Sequence, residues 1–223
     1  VLISHRRQFI YLKTYKTGGT SVEILFEPEC HPADWSSGPQ HSTEEKISDA
    51  GIVGARKPDT TGAAWFNHMP AAAVREKIGS EIWNRYLKFC VVRNPYDRVV
   101  SWWWHRMENL ERLAMAEADL SRLRSEFNSW VLRTTDLAMD RDKYVINGKV
   151  CVDRFIRYER LWEDVLALCG DLGIERKRSD LGAYKSGVRA NALGFADYYE
   201  PAAAAKVAAW FQWELEYFEY GLG

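Results

Sequence analysis

Phe9-Ile10-Tyr11-Leu12-Lys13-Thr14-Tyr15-Lys16-Thr17-Gly18-Gly19-Thr20-Ser21 decides how the rest of the chain is read. It starts as an apolar run and ends in hydroxyls, glycines and a lysine. The amphipathic segment Val22 to Phe26 follows directly. Strand, glycine-rich turn and helix in that order offer backbone N–H groups to an anion. Two glycines let the backbone approach a ligand closely, and Lys16 adds positive charge. The stretch is therefore expected to bind phosphate. It is not a Walker A loop, in which the lysine follows the last glycine; here Lys16 precedes both.

Working outward, Gln8 to Leu12 reads as a central strand and Ser21 to Phe26 as the first helix, ended near Pro28. Residues 28–67 hold Pro28, Pro32, Pro39 and Pro58 with poor periodicity. They are expected to form a long excursion with little regular structure, a lid or acceptor-binding region. Pro70 to Ile78 reads as a helix closed by Gly79. Tyr86 to Val92 is a run of the kind buried on both faces of a sheet. Asn94 and Pro95 then suit the cap and first residue of a helix. Along it Val99, Val100, Trp103, Met107 and Leu110 share one face, and Asp97, Ser101, Trp104 and Glu108 the other. Trp103 reads as core, while Trp102 and Trp104 are candidates to line a cleft. Helices are also expected over Leu120 to Leu132, Leu161 to Leu172 (closed by Gly173) and Pro201 to Tyr217, with a third strand over Val150 to Ile156. Tyr198 and Tyr199 read as packing residues. The alternation predicts an α/β fold with a central, mostly parallel sheet flanked by helices. At 223 residues the chain is expected to be a single domain.

Lys plus Arg is 30 against 31 for Asp plus Glu, so the chain lacks the basic excess of a general nucleic-acid binder. Cys30, Cys90, Cys151 and Cys169 are widely spaced and form no zinc pattern; Cys90 and Cys151 read as core thiols. No apolar stretch approaches a membrane span and no signal peptide is visible, so a soluble, cytoplasmic protein is expected, with a lumenal location after removal of an anchor left open.

Two strand-to-helix turns carry the chemistry: Lys16 to Ser21, and Arg93 to Ser101. In a parallel sheet both lie at the carboxyl ends of the strands, where such folds bind ligands. Two anion sites on one edge suit a ligand with two separated phosphates. Arg93 suits bidentate phosphate binding, and Ser101 adds a hydroxyl.

Lys16-Thr17-Gly18-Gly19-Thr20-Ser21 resembles the 5′-phosphosulfate loop of sulfotransferases, and Arg93-Asn94-Pro95-Tyr96-Asp97-Arg98-Val99-Val100-Ser101 resembles their 3′-phosphate motif. The nearest likeness is to the carbohydrate group containing the chondroitin, dermatan and heparan 2-O enzymes and bacterial relatives. It extends to His68, Lys88-Phe89, Phe155 to Leu161 and Asp197-Tyr198-Tyr199, and is weak over 28–67. The resemblance implies a P-loop-like three-layer fold. It also implies sulfuryl transfer from 3′-phosphoadenosine 5′-phosphosulfate (PAPS) to a hydroxyl of a carbohydrate or glycoconjugate, without a metal.

By the same likeness, Lys16 stabilises the leaving phosphate, and Thr17, Gly18, Gly19, Thr20 and Ser21 cradle the 5′-phosphate. Arg93 and Ser101 hold the 3′-phosphate, Lys185 and Arg189 are nucleotide contacts on a closing loop, and His68 is the general base. A helix N-terminus after His68 is expected to keep it neutral. The chain departs from the family at Tyr15, where proline is usual. Two other readings stand beside this one: a P-loop kinase or nucleotide hydrolase, and a non-catalytic nucleotide- or glycan-binding relative.

Overall fold

The computed structural model describes residues 1–35, 44–56, 60–137, 139–182 and 193–223. In chain order the elements begin with β1 (Leu2–Ser4), β2 (Phe9–Tyr11), α1 (Gly19–Phe26), β3 (Lys46–Ser48), β4 (Gly51–Val53), α2 (Ala71–Ile78), α3 (Ser80–Arg85) and β5 (Leu87–Val92). They continue with α4 (Pro95–Arg106), α5 (Asn109–Ala116), α6 (Leu120–Arg133), α7 (Arg141–Tyr144), β6 (Val145–Ile146), β7 (Lys149–Val150), β8 (Arg154–Arg157), α8 (Leu161–Asp171), α9 (Pro201–Trp210) and α10 (Gln212–Phe218). The chain divides into two compact units, Val1–Val92 with Met139–Tyr184, and Arg93–Ala138 with Lys185–Gly223.

The first unit is built on a six-stranded mixed sheet in the order β3-β4-β1-β2-β5-β8. Its core is parallel: β2 pairs with β5 and β5 with β8, placing Tyr11 opposite Phe89 and Val92 opposite Arg157. β1, β4 and β3 extend it as an antiparallel wing. On one face Val22, Leu25 and Phe26 of α1 and Val165, Leu168 and Cys169 of α8 cluster with Phe9, Tyr11, Phe89, Val91 and Ile156. The intervening residues Ile3, Ile10, Cys90 and Val92 are buried as well, so the central strands are covered on both faces. That accounts for the unbroken apolar run Phe89 to Val92 in β5. The Phe9, Phe26 and Phe89 rings sit with centroids 5.1–5.6 Å apart. Truncating Phe89 to Ala would cost about 3–5 kcal/mol.

The wing corrects the sequence reading of 28–67. β3 and β4 form a hairpin within that stretch, with Ile47 opposite Ile52. Gly51 is required there, since a Cβ would fall 2.2 Å from the Ile3 carbonyl oxygen. Further on, the Glu45 carboxylate accepts bonds from the backbone N–H groups of Ala64 (3.2 Å) and Trp65 (2.8 Å). The expected strand over Val150 to Ile156 also divides. Lys149–Val150 pairs back onto Val145–Ile146. The turn is Asn147-Gly148, both at positive φ (50° and 76°), which is the backbone a two-residue hairpin needs.

Charge is buried beside α1. Lys13 pairs with Glu23, Arg56 reaches Glu23 (3.2 Å) and Glu27 (2.7 Å), and His31 lies 3.3 Å from Glu27. Lys13 and Arg56 hold the Glu23 carboxyl below its usual range against the opposing effect of burial. Glu29 is held by Arg6, Arg7 and Arg176. The four cysteines are free thiols, with Cys30, Cys90 and Cys169 buried and Cys151 half-buried.

The described elements of the second unit are helical. Asn94 caps α4 by accepting from the Tyr96 N–H at 3.0 Å, and Pro95 takes the first helical position. Val99, Val100, Trp103, Leu123, Phe127, Val131, Tyr198, Tyr199 and Val207 form the core. Two expectations fail here. Trp104 does not line a cleft: it is fully buried, and its indole N–H donates to the Tyr198 hydroxyl at 3.0 Å. Leu110 is 82% exposed, because α4 ends at Arg106 and α5 starts afresh. Arg112 binds the α4-end carbonyls of Trp104 (3.3 Å) and Met107 (2.8 Å), and Glu108 and Glu111 form a capping box for α5. The last helix is likewise two, broken at Phe211. Among the described residues no helix is long and apolar enough to cross a membrane.

Candidate active site

The loop after β2 is shaped by backbone. Lys16 has φ 57°, in the left-handed region that costs a non-glycine residue about 1–3 kcal/mol. Gly18 follows at φ 73° and stands at the N-cap of α1. A Cβ there would meet the Tyr158 ring at 3.0 Å. At Gly19 a Cβ would fall 2.6 Å from the Tyr11 hydroxyl, which donates to the Gly19 carbonyl at 3.1 Å. Both glycines are thus fixed by close approach. The Ser21 N–H donates back to the Gly18 carbonyl at 3.0 Å, and the head of a helix is where backbone N–H groups can be offered to an anion.

Side chains pin this loop at three points. The Thr14 hydroxyl donates to the Val91 carbonyl at 2.5 Å and lies 2.8 Å from the Thr17 hydroxyl. The first bond ties the loop entry to the end of β5. The Tyr15 N–H donates to both carboxylate oxygens of Asp140, at 3.1 and 3.0 Å. Tyr11 closes the third point. Thr17 and Ser21 are buried, while Lys16 and Thr20 are half-buried. Sequence reasoning missed Tyr11, Thr14, Asp140 and Tyr158. A signal existed for Tyr11, since a tyrosine inside an apolar strand needs a partner for its hydroxyl.

His68 is brought to the same loop. Its imidazole stacks on the Tyr15 ring (centroids 3.7 Å apart, 12° between planes), and Nδ1 lies 3.1 Å from the Lys13 carbonyl oxygen. A carbonyl only accepts, so Nδ1 carries the proton and Nε2 keeps its lone pair. The backbone at His68 is also left-handed (φ 60°), and α2 begins at Ala71. Burial first, then the nearby Lys13 charge, lowers the His68 pKa from 6.5 to about 3. The neutrality expected from the helix N-terminus thus has burial and a lysine as its leading causes.

In the second unit Arg93 directly follows β5 in the chain. Its Nε donates to the Asp97 carboxylate at 2.7 Å, with both side chains largely buried. Ser101 lies half-buried in the middle of α4. Lys185 and Arg189 lie outside the described residues. Among the described residues no group of three or more His, Cys, Asp or Glu side chains is placed to hold a metal ion.

Comparison with known proteins adds a family. The model of the sulfotransferase family matches residues 1–220, which runs through both units. The chain is also similar to a protein of Archaeoglobus fulgidus described as uncharacterized, at 30% identity over 108 residues, 48% of this chain and 83% of the other. No solved structure matches.

Proposed function

The chain belongs to the sulfotransferase family, and from that premise we propose that it moves a sulfuryl group from PAPS to a hydroxyl of a carbohydrate or glycoconjugate. The observation that carries the reading is His68 docked on the loop entry, bonded to the Lys13 carbonyl and stacked on Tyr15. It supports a neutral histidine acting beside the loop proposed to take the 5′-phosphate. A match spanning both units supports treating residues 1–223 as one domain.

The residues fit the donor. Gly18 and Gly19 leave the backbone at the head of α1 bare of side chains, and Lys16 supplies the cation beside them. Thr17, Gly18, Gly19, Thr20 and Ser21 take the 5′-phosphate, and Arg93 and Ser101 the 3′-phosphate. Lys185 and Arg189 are proposed as further nucleotide contacts. PAPS supplies an activated sulfuryl group on a phosphate leaving group. Lys16 stabilises charge that builds on that phosphate, the kind of fixed electrostatic help that dominates group transfer. His68 accepts the acceptor's proton at Nε2. A pKa of about 3 makes His68 a weak base in the ligand-free protein. The negative charge of a bound donor opposes the lysine effect and raises its basicity when it is needed.

The test is transfer of labelled sulfate from PAPS to a panel of neutral and anionic glycans. Transfer should occur and fall at least 100-fold in His68→Ala, with affinity for 3′-phosphoadenosine 5′-phosphate kept. Full activity in His68→Ala removes the base assignment and leaves the donor site standing. Magnesium-dependent ATP turnover with no response to PAPS would sink the donor assignment.

A further inference from the structure

Asp140 stands at the N-cap position of the single-turn helix α7, yet its side chain makes no capping bond to that helix. It is 1% exposed, and both of its oxygens take the Tyr15 N–H, 125 residues away in sequence. A buried carboxylate on a backbone N–H is a charge-assisted bond, about twice as strong as a neutral one. The residue it holds is the one before Lys16, whose left-handed backbone persists only if the surroundings fix it. The same turn of α7 serves Tyr15 a second time. Lys143, whose N–H donates to the Asp140 carbonyl (2.8 Å), lies with Nζ 5.4 Å from the centroid of the Tyr15 ring. The ring's stacking partner is His68.

We infer that Asp140 is a positioning residue for the transfer step, acting through the Tyr15 backbone to hold Lys16 in its strained conformation while the Tyr15 ring holds His68. This rests on the sulfotransferase reading of Lys16 and His68. The role is specific to a chain with an N–H at position 15. A proline there, as in the motif that the loop resembles, has no N–H to hold and fixes φ by its ring.

The experiment is a double-mutant cycle of Asp140→Ala and Tyr15→Pro, with Asp140→Asn as the conservative variant. Asp140→Ala should lower kcat at least tenfold and raise the donor KM less than threefold, since Lys16 acts on charge that builds during transfer. Asp140→Asn, which keeps one acceptor oxygen, should stay within threefold of wild type. In the Tyr15→Pro background, Asp140→Ala should cost less than threefold. Equal losses in both backgrounds would overturn the proposal, as would no better activity in Asp140→Asn than in Asp140→Ala. A second readout needs no donor: amide exchange at Tyr15 should speed up at least tenfold in Asp140→Ala, and unchanged exchange counts against the bond. If the wild type transfers nothing from PAPS, the donor assignment fails alone, and the exchange measurement still decides whether Asp140 holds the loop.

Discussion

On the proposed reading the two strand-to-helix turns do the same kind of job with different materials. The Lys16 to Ser21 turn is made of strained backbone: two left-handed residues, two glycines closely approached by the Tyr158 and Tyr11 side chains, and pins from Tyr11, Thr14 and Asp140. The Arg93 to Ser101 turn is an ordinary helix start, with an Asn cap, a Pro at the first position and an Arg–Asp pair four residues apart. In the proposed donor site the binding groups of the first are N–H groups, so the device is the shape of the main chain. Those of the second are side chains on a standard scaffold. The first should therefore fail through geometry and the second through chemistry.

Four measurements press on that contrast. Lys16→Ala should have the largest effect, a loss of turnover of at least 100-fold, consistent with about 2.7–4 kcal/mol for removing one group that stabilises developing charge. A smaller loss than that of His68→Ala would move the main electrostatic role away from the loop. Arg93→Ala should weaken 3′-phosphoadenosine 5′-phosphate about 10- to 100-fold, the range for a lost charged hydrogen bond. Binding of adenosine 5′-phosphate should change less than threefold. Equal weakening of both nucleotides would break the side-chain reading of the second turn.

Gly19→Ala probes the backbone reading of the first turn. It should weaken nucleotide binding roughly tenfold through the clash with Tyr11, about 1.4 kcal/mol, and Tyr11→Phe in the same chain should recover most of the loss by removing the oxygen that a Cβ would strike. Calorimetry on the single and double variants decides it. Last is a pH effect, read on stability rather than on binding or turnover. His68 has its pKa lowered to about 3 in the folded chain, against an ordinary 6.5. Between those values the unfolded chain binds a proton that the folded chain refuses. Stability is then fully present above pH 6.5 and declines as pH falls towards 3. His5 and His31, also lowered by burial, act in the same direction. Thermal melts of His68→Gln from pH 7 to pH 4 should fall less steeply than those of wild type; identical slopes would remove His68 from the effect.

The same contrast explains what the sequence made legible. The second turn was readable because a cap, a proline and an apolar run are local signals, and the structure places Asn94 and Pro95 in those roles. The first turn was readable in its residues but not in what holds it. Asp140 is 125 positions from Tyr15, and no periodicity marks a lone aspartate before a four-residue helix. The parallel core was visible because β5 ends in four consecutive apolar residues, Phe89 to Val92. The antiparallel wing was not, because its strands are three residues each and Ile47 faces outwards. Trp104 was misplaced because helical spacing counts its indole as polar-facing, whereas the Tyr198 hydroxyl makes burial of its N–H acceptable.

The buried charges beside α1 have a consequence for how this chain can diverge. Lys13 and Arg56 face Glu23 and Glu27, two positive groups against two negative, all out of solvent. Losing one member strands a buried charge at about 3–5 kcal/mol, a large share of the about 5–15 kcal/mol by which a typical domain is stable. Drift by single steps is closed at these positions. Descendants should keep the quartet whole or exchange it as a set for apolar residues, and Lys13, whose carbonyl carries His68, ties that constraint to the proposed chemistry.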